Sequence, residues 1–263
     1  MGLAQKCPDV FEPFFGGIFL ENELRTSRRM FDFVFKMFGE AAAAIPARGM
    51  EEIPKQLASQ LNRGSLILQK QVTSIEHYRV HTAQGDAFSA RAILLATEAP
   101  GLVQNYQVPK PEPGRRVSCV YFQADQSPLR KAMIILNAHT PKLVNNLCVM
   151  SEVSTEYAPP GKALISASFN GSSHLSDGDL SAQIRNEFSK WFGDQVFGWR
   201  LLKRYQIDYA LPNQDSVKHH SPANAYRINE GLYRCGDYLL NGSINAAMKS
   251  GRNVADLIAE DLK

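Results

Sequence analysis

The sequence predicts an α/β fold combined with an α+β domain that has a mixed or antiparallel sheet backed by helices. Three observations lead to this prediction. Short β-rich runs follow one another between residues 65 and 97, and the run AILLAT at residues 92–97 is apolar on both faces, as in a strand buried inside a sheet. Several further β-rich segments and one clear helix occupy residues 117–209. The chain then ends in a strand–turn–helix pattern.

The composition is that of a globular protein. The chain has 263 residues, 44% hydrophobic and 21% charged, which fits one or two domains with a sizeable core. Its 29 basic and 26 acidic residues give a net charge of only +3, and the basic residues are scattered, so we expect no nucleic-acid partner. The four cysteines lack CxxC or CxxH spacing, which argues against a zinc site. These cysteines are Cys7, Cys119, Cys148 and Cys235.

The sequence shows neither a membrane-spanning run nor a secretory signal. No stretch approaches the roughly 18–20 uninterrupted apolar residues that a spanning helix needs. Near the N-terminus, Asp9 and the prolines Pro8 and Pro13 interrupt what would have to be the apolar part of a signal peptide. We therefore expect a cytoplasmic protein.

A phenylalanine-rich helix is predicted to follow the aromatic and glycine-rich residues 11–24. Thr26 and Ser27 offer an N-cap, and Gly39 ends the helix. Apolar residues fall on most of its faces, which is typical of a buried helix. The alternative is that the helix lines an apolar substrate cavity, with Phe31 and Phe35 as substrate-binding residues, or that it contacts lipid.

The next segment predicts a loop, a helix and a group of strands. Pro46 and Gly49 interrupt residues 41–50, and an apolar stripe then predicts a helix that ends at residues 62–64. Strands are predicted at residues 65–69, 72–82 and 87–97. Prolines at both ends of residues 100–113 indicate a crossing between domains.

The middle of the chain predicts the α+β domain. A helix is expected to be capped by Asp179 and to end at Gly193. The strands are expected at residues 117–124, 132–136, 143–150, 162–169 and 203–209.

The C-terminal strand–turn–helix carries the chemistry. A strand at residues 231–235 ends at Gly236 and Asp237, and a helix begins after Gly242 and Ser243. The first N–H groups of a helix have no internal partners and carry partial positive charge, so an anion or the electron-rich edge of a planar ligand can bind there. Asp237 could accept hydrogen bonds from ligand hydroxyls. The alternative is a plain strand–turn–helix in which Asp237 is a turn or capping residue.

This segment resembles the C-terminal flavin-binding motif of the FAD-dependent amine oxidase superfamily, which includes protoporphyrinogen oxidase and the phytoene desaturases. In that superfamily a strand ends in Gly-Asp, and a helix entered through a Gly-Ser pair carries a face of small residues. The matching residues are Gly231, Gly236, Asp237, Gly242, Ser243, Ala246, Ala247, Ser250, Gly251 and Arg252.

Other stretches resemble the same superfamily more weakly. Residues 46–57 are similar to its Pro-x-Gly-Gly-Met loop and following helix, although Arg48 stands where a glycine is usual. The strand that begins near Val72 is similar to the one whose backbone meets the adenine of FAD, and residues 209–212 are similar to the exit from the substrate domain. The resemblance implies a substrate domain (residues 1–50 and 99–210) and the remnant of an FAD-binding domain (residues 51–98 and 211–263).

The resemblance implies FAD as the cofactor and assigns roles by position. Asp237 would bind near the pyrophosphate or ribityl chain, and the N–H groups around Ser243, Ile244 and Asn245 would face the pyrimidine edge of the flavin. Tyr209 and Tyr238 would be aromatic walls of the substrate site. The implied cofactor-binding residues are Val72, Gly236, Asp237, Gly242, Ser243, Ile244 and Asn245. The family's water-positioning lysine has no counterpart in residues 117–124, so no catalytic residue is assigned.

The family's GxGxxG βαβ unit is missing from the sequence. That unit holds the pyrophosphate, and its absence removes about 150 residues relative to the family pattern. The predicted fold class is therefore α/β with an α+β substrate domain, in which a Rossmann-like FAD-binding domain is only partial. Since several charge-assisted hydrogen bonds are lost with that unit, we expect the isolated chain to bind FAD weakly or not at all.

Three functional hypotheses follow. The first is an FAD-dependent oxidoreductase, or its C-terminal portion, that transfers hydride to flavin from a small amine-like or an apolar substrate. The second is a non-catalytic ligand-binding module. The third is a subunit that needs an N-terminal FAD-domain partner. A peripheral membrane contact through the phenylalanine-rich helix remains open, and the adjacent His219 and His220 lack a ligand geometry, so no metal site is predicted.

Overall fold

The computed structural model describes residues 8–98 and 114–263. The chain divides into two compact units. Unit 1 comprises Met1–Arg25, Phe38–Ser59 and Arg115–Ala210, and unit 2 comprises Thr26–Met37, Gln60–Gly114 and Leu211–Lys263. The assignment of substrate-binding and nucleotide-binding roles to parts of the chain stays a prediction, and the predicted crossing at residues 100–113 lies outside the described residues.

The fold is a mixed α/β fold with antiparallel and mixed sheets. The helices are α1 (Pro8–Phe19), α2 (Arg28–Glu40), α3 (Glu52–Ala58), α4 (Met150–Val153), α5 (Asp177–Phe192), α6 (Ala223–Tyr226) and α7 (Ile244–Asp261). The strands are β1 (Val72–Glu76), β2 (Arg79–Thr82), β3 (Ala87–Ser89), β4 (Ile93–Leu95), β5 (Arg115–Ala124), β6 (Ile134–Leu136), β7 (Asn146–Val149), β8 (Ala163–Asn170), β9 (Arg200–Leu211), β10 (Arg227–Asn229) and β11 (Leu232–Arg234).

Unit 1 is built on a five-stranded sheet of order β6-β7-β8-β5-β9. β5 and β8 pair antiparallel without interruption from Val117↔Asn170 to Ala124↔Ala163. Burial alternates along both strands, so one face forms the core and the other is half-buried. Helix α5 covers the core face, and its Phe188 is fully buried there.

Helix α5 starts with a different cap from the predicted one. The hydroxyl of Ser176 accepts a hydrogen bond from the backbone N–H of Asp179 at 3.1 Å, so Ser176, not Asp179, is the N-cap. Ser176 also donates to the Asp179 carboxylate at 2.6 Å. Asp179 therefore lies three positions inside the helix, where its carboxylate holds the capping hydroxyl instead of forming the cap itself.

Helix α1 was not predicted, because its glycines and Pro13 weigh against a helix. Tertiary contacts in unit 1 explain it. The Asn145 side chain donates to the Pro13 carbonyl at 2.8 Å, and the Asn170 side chain donates to the Gly16 carbonyl at 3.1 Å. A Cβ on Gly17 would lie 2.6 Å from Nδ2 of Asn145, so the close approach of α1 needs glycine there.

Helix α2 confirms the predicted helix but corrects its predicted burial. Only Met30 and Val34 are buried. Apolar residues occupy a wider arc of the helix surface than the face that is buried, so the other large apolar side chains are exposed. The exposed ones are Phe33, Phe35, Met37 and Phe38, at 37–49%.

Unit 2 contains two small sheets of order β1-β2-β3 and β10-β11-β4. The predicted strand at residues 72–82 is broken by a turn in which His77 has a φ of +54°. Residues 65–69, predicted as a strand, lie in no described strand, and Leu68 there is 71% exposed. β11 and β4 run parallel, and β11 joins α7 in a core that contains Tyr233 and Val254.

None of the helices in the described ranges is long and apolar enough to cross a membrane.

Unit 1 should lose stability when its core is truncated. We predict that Phe188→Ala lowers the free energy of unfolding by about 3–5 kcal/mol, because it leaves a cavity among fully buried side chains. The matched control is Phe197→Ala, whose side chain is 52% exposed and should cost less than about 0.5 kcal/mol. Both tryptophans belong to the unit 1 core, so urea unfolding followed by tryptophan emission measures this unit. Equal effects of the two variants would contradict the described core.

Candidate functional site

Two neighbouring parallel strands of unit 2 end at the same edge of their sheet. β4 is followed by Thr97 and Glu98, and β11 is followed by Cys235, Gly236 and Asp237. The N–H of Cys235 donates to the Leu95 carbonyl at 3.0 Å and continues the pairing to this edge. In open α/β sheets, ligands bind outside the carboxyl ends of the strands. This edge is therefore the first part of the candidate site.

Asp237 is a half-buried carboxyl group at this edge. Burial raises its pKa above the usual range, and the charge of Glu98 raises the pKa further. The backbone N–H groups of Tyr238 and of Asp237 itself act in the opposite direction. A carboxyl group with a pKa raised by desolvation and a neighbouring charge is typical of functional sites. Glu98 was not among the site residues predicted from the sequence, although the rule that ligands bind at strand ends could have identified it.

A hydrogen bond from Gly236 holds the end of β11 against helix α7. The Gly236 N–H donates to Oγ of the fully buried Ser250 at 3.0 Å. A Cβ on Gly236 would lie 2.2 Å from Cε1 of Tyr238, so the ring occupies the space that a side chain would need. Burial raises the pKa of Tyr238 to about 12, and its buried hydroxyl has no hydrogen-bond partner within the described part of the chain.

The second part of the site is the entry turn of α7, defined here as residues 241–245. Ser243 is the N-cap, and its hydroxyl accepts from the N–H of Ala246 at 3.1 Å. The N–H of Ser243 donates to the Asn241 carbonyl at 2.8 Å. The N–H groups of Ile244 and Asn245 have no partner among residues 8–98 and 114–263, and the Ile244 side chain is 48% exposed. The turn thus offers two backbone donors at the positive end of a long helix.

Gln214 fixes this turn from below. Its side-chain Oε1 accepts from the N–H of Gly242 at 3.0 Å, and the residue is only 1% exposed. A Cβ on Gly242 would lie 3.1 Å from both Gln214 and Pro212, which explains the glycine. The Gln214 carbonyl also accepts from the N–H of Ser27, just before α2, at 2.9 Å. No sequence pattern had singled out Gln214, because a polar residue after a strand gives no sign of burial.

The structure brings most of the predicted cofactor residues together. Gly236, Asp237 and the entry turn all lie around the start of α7, since the short 3₁₀ turn Asp237–Leu239 packs against that helix. Val72 begins β1 opposite Thr82 in the other sheet of unit 2 and is half-buried.

The predicted substrate residues belong to three different elements of the chain. Phe31 and Phe35 stack on each other on α2, with ring centroids 5.7 Å apart. Tyr238 lies beside Gly236 as described. Tyr209 lies in unit 1, half-buried near the end of β9.

A separate cluster of polar side chains lies in unit 1, on the half-buried face of the five-stranded sheet. The Cys119 thiol lies 3.3 Å from the Ser166 hydroxyl, and the Ser168 hydroxyl donates to it at 3.5 Å. Tyr121 and Tyr205 meet edge to face at 5.9 Å. Burial raises the pKa of Tyr121 to about 12, and Cys119 contributes to the rise. Strand alternation predicts which residues share this face, but not that they bond to one another.

No group of three or more His, Cys, Asp or Glu side chains in the described ranges could hold a metal ion.

Comparison with known proteins identifies the family. A profile of the family described as "Flavin containing amine oxidoreductase" matches residues 3–259. A search of curated protein sequences finds no significant match.

Solved structures resemble the fold at low sequence identity. An oxidoreductase from Methanosarcina mazei has 14% identity and a TM-score of 0.65, over 94% of this chain and 64% of that one. Reduced UDP-galactopyranose mutase has 11% identity and a TM-score of 0.60, over 95% and 64%. Cyclohexylamine oxidase from Brevibacterium oxydans has 14% identity and a TM-score of 0.55, over 81% and 53%. The chain thus spans less than two thirds of the length of these structures.

The bond between Gly236 and Ser250 should hold the strand end to α7. We predict that Ser250→Ala accelerates amide hydrogen exchange in β11 and the first turns of α7 by about 5- to 150-fold, because the part-buried N–H of Gly236 loses its acceptor at a cost of about 1–3 kcal/mol. Ser59→Ala, which removes an exposed hydroxyl in unit 1, serves as the control. Unchanged exchange in Ser250→Ala would show that this bond does not hold the site together.

Proposed function

This chain belongs to the family of flavin-containing amine oxidoreductases, and on that premise we propose that it binds the ring end of FAD in an FAD-dependent oxidoreductase. The observation that carries the proposal is the entry turn of α7, where Ile244 and Asn245 are exposed residues whose N–H groups have no partner in the described part of the chain. The proposed reaction removes a hydride from a small amine-like or an apolar substrate.

The donor set fits the flavin ring. The pyrimidine edge of the ring is electron-rich, and two backbone N–H groups at a helix N-terminus complement it. When bound, FAD supplies the hydride acceptor of the reaction. The amides of Ile244 and Asn245 would stabilise negative charge at that edge, which favours reduction. Gly242 contributes by its small size, because a Cβ there would lie only 3.1 Å from Gln214 and from Pro212 and would displace them slightly.

Asp237 fits a role toward the hydroxyl-bearing part of the cofactor. It follows the β11 strand end, and its carboxyl group can accept hydrogen bonds from hydroxyls when ionised. Its raised pKa means that it is less acidic than an exposed aspartate. Val72 is proposed for the adenine end of FAD, through its position at the start of β1.

The pyrophosphate requires a cradle that the sequence does not contain. No GxGxxG occurs in the chain, and β4 pairs with β11 alone among the described strands. We therefore propose that the nucleotide-binding βαβ unit comes from outside these 263 residues, as a preceding segment or as a partner subunit. A non-catalytic ligand-binding module remains the second candidate.

On the substrate side, the proposal uses the aromatic residues. Tyr238 has a buried hydroxyl with a pKa of about 12, so it stays protonated and can donate a hydrogen bond. The stacked pair Phe31 and Phe35 favours an apolar substrate or a peripheral membrane contact, because Phe35 is 49% exposed.

Because the chain lacks a pyrophosphate cradle, we predict that it binds FAD weakly when it is alone. We expect the purified chain to lose FAD completely during gel filtration, and co-expression with a GxGxxG-containing βαβ unit of the same family to restore bound flavin. The measurement is the flavin absorbance that co-elutes with protein. A flavin band that persists with the isolated chain would show that the ring end suffices.

The Ile244 amide can be removed without disturbing the helix. Ile244 is the first residue of α7, where proline is tolerated, and Ser243 before it is already extended. We predict that Ile244→Pro weakens binding of lumiflavin, the flavin ring without its tail, by about 2- to 10-fold, as expected for the loss of one hydrogen bond between uncharged groups.

The matched control is Ile244→Ala, which keeps the N–H and should bind lumiflavin as the unaltered chain does. Affinities are measured from quenching of lumiflavin fluorescence at millimolar protein. Equal affinities of the proline and alanine variants would exclude this amide as a flavin donor.

A further inference from the structure

Unit 1 contains a cavity to which no residue of the proposed flavin site contributes. It has a volume of about 440 Å³, which is in the range of small-molecule sites, and it is open to solvent. Its walls come from Asn22, which follows α1, and from the segments 142–145 before β7 and 169–174 at the end of β8. All of these residues belong to unit 1.

Asn145 presents an unused acceptor to this cavity. The residue is only 5% exposed, and its Nδ2 donates to the Pro13 carbonyl at 2.8 Å. Because a carbonyl needs a donor, that bond fixes which end of the amide is oxygen. The oxygen accepts no hydrogen bond from the described residues but keeps accessible surface. Since Asn145 lines the cavity, a ligand there can reach this oxygen and satisfy a buried polar side chain.

Asn170 repeats this arrangement. Its Nδ2 donates to the Gly16 carbonyl at 3.1 Å and to Oδ1 of Asn22 at 2.8 Å, which leaves its own oxygen as an acceptor. Ser172 adds a half-buried hydroxyl that makes no hydrogen bond within residues 8–98 and 114–263. The cavity therefore offers two amide oxygens and a hydroxyl to a ligand.

Lys142 brings a charge to the cavity, and a carboxylate already balances it. Its Nζ donates to the Asn137 carbonyl at 3.0 Å and to Oε1 of Glu12 at 3.2 Å, which leaves one of its three N–H groups. An anionic ligand at this ammonium would also meet the negative charge of Glu12. The pair thus favours a ligand without charge.

The loop at residues 137–145 is fixed by Glu187 of α5. The Glu187 carboxylate accepts from the N–H of Leu143 at 2.9 Å and from the N–H of Val144 at 3.3 Å. The Asn137 side chain also donates to it. This wall of the cavity is therefore formed before a ligand arrives, so binding costs little ordering of the loop.

We propose that this cavity binds a small neutral polyhydroxyl compound of the size of a monosaccharide. Hydroxyl groups both donate and accept, so they can donate to the oxygens of Asn145 and Asn170 and accept from the Lys142 ammonium. Leu143 and Phe169 add apolar surface, against which the C–H groups of a sugar ring can pack. The inference concerns unit 1 alone and does not depend on the proposed flavin site.

The test is a titration of the ¹⁵N-labelled chain with D-glucose and with myo-inositol, alongside sodium acetate and inorganic phosphate as anionic probes. We expect the side-chain amide resonances of Asn145 and Asn170 to shift with at least one of the two polyols and to saturate at millimolar affinity, while neither anion moves them. Resonances that stay in place with both polyols, or that respond as strongly to an anion, would overturn the proposal.

Variants at Ser172 locate the binding. Ser172→Ala removes one hydroxyl and should weaken binding of the responding polyol by about 2- to 10-fold, and Ser172→Trp fills part of the cavity and should abolish it. Ser59→Trp, at an exposed serine of unit 1 outside the cavity, should bind as the unaltered chain does. Equal binding by the two tryptophan variants would place the polyol elsewhere and overturn the proposal. If Ser172→Trp does not fold, the titration of the unaltered chain decides.

Discussion

The candidate site depends on which N–H groups of the α7 entry turn are bonded within the protein and which are left for a ligand. Four N–H groups at a helix start have no partner inside the helix, and each must be satisfied in another way. Here the Ser243 hydroxyl takes the N–H of Ala246, while the N–H of Ser243 goes to the Asn241 carbonyl. The groups left over are those of Ile244 and Asn245. Because the cap is a small serine and the residue before it is a glycine, the protein fixes the turn without covering those donors.

Contacts around the entry turn fix its position relative to the end of β11. Ser250 lies about two helical turns beyond the cap and accepts from the N–H of Gly236, which ties the end of β11 to the start of α7. The glycine is required because the Tyr238 ring fills the space of its side chain. Asp237 follows immediately, half-buried and next to the charge of Glu98. One short segment therefore sets both the position of a carboxyl group and that of the helix donors.

Local patterns predicted the long elements of the fold well. The helix after Ser243, the helix ending at Gly193 and the alternating strand at residues 117–124 follow from periodicity and capping residues, and the structure confirms them. Helix α1 could not be predicted, since its glycines weigh against a helix until Asn145 and Asn170 are known to bind it. Burial of α2 was overestimated because composition does not show how wide the contact face is. At the site, small residues and the Gly-Asp pair were visible in sequence, whereas Gln214 was not: its role comes from a contact across 28 positions of the chain.

The most direct test follows the backbone amides of the entry turn by ¹⁵N NMR while lumiflavin is added to the labelled chain. The Ser243 and Ala246 amides, already bonded within the protein, serve as internal references. The account predicts that the Ile244 and Asn245 resonances move furthest and saturate with a common affinity. Resonances of these two amides that stay in place while others elsewhere in the chain saturate, or a chain that shows no response at all, would contradict it.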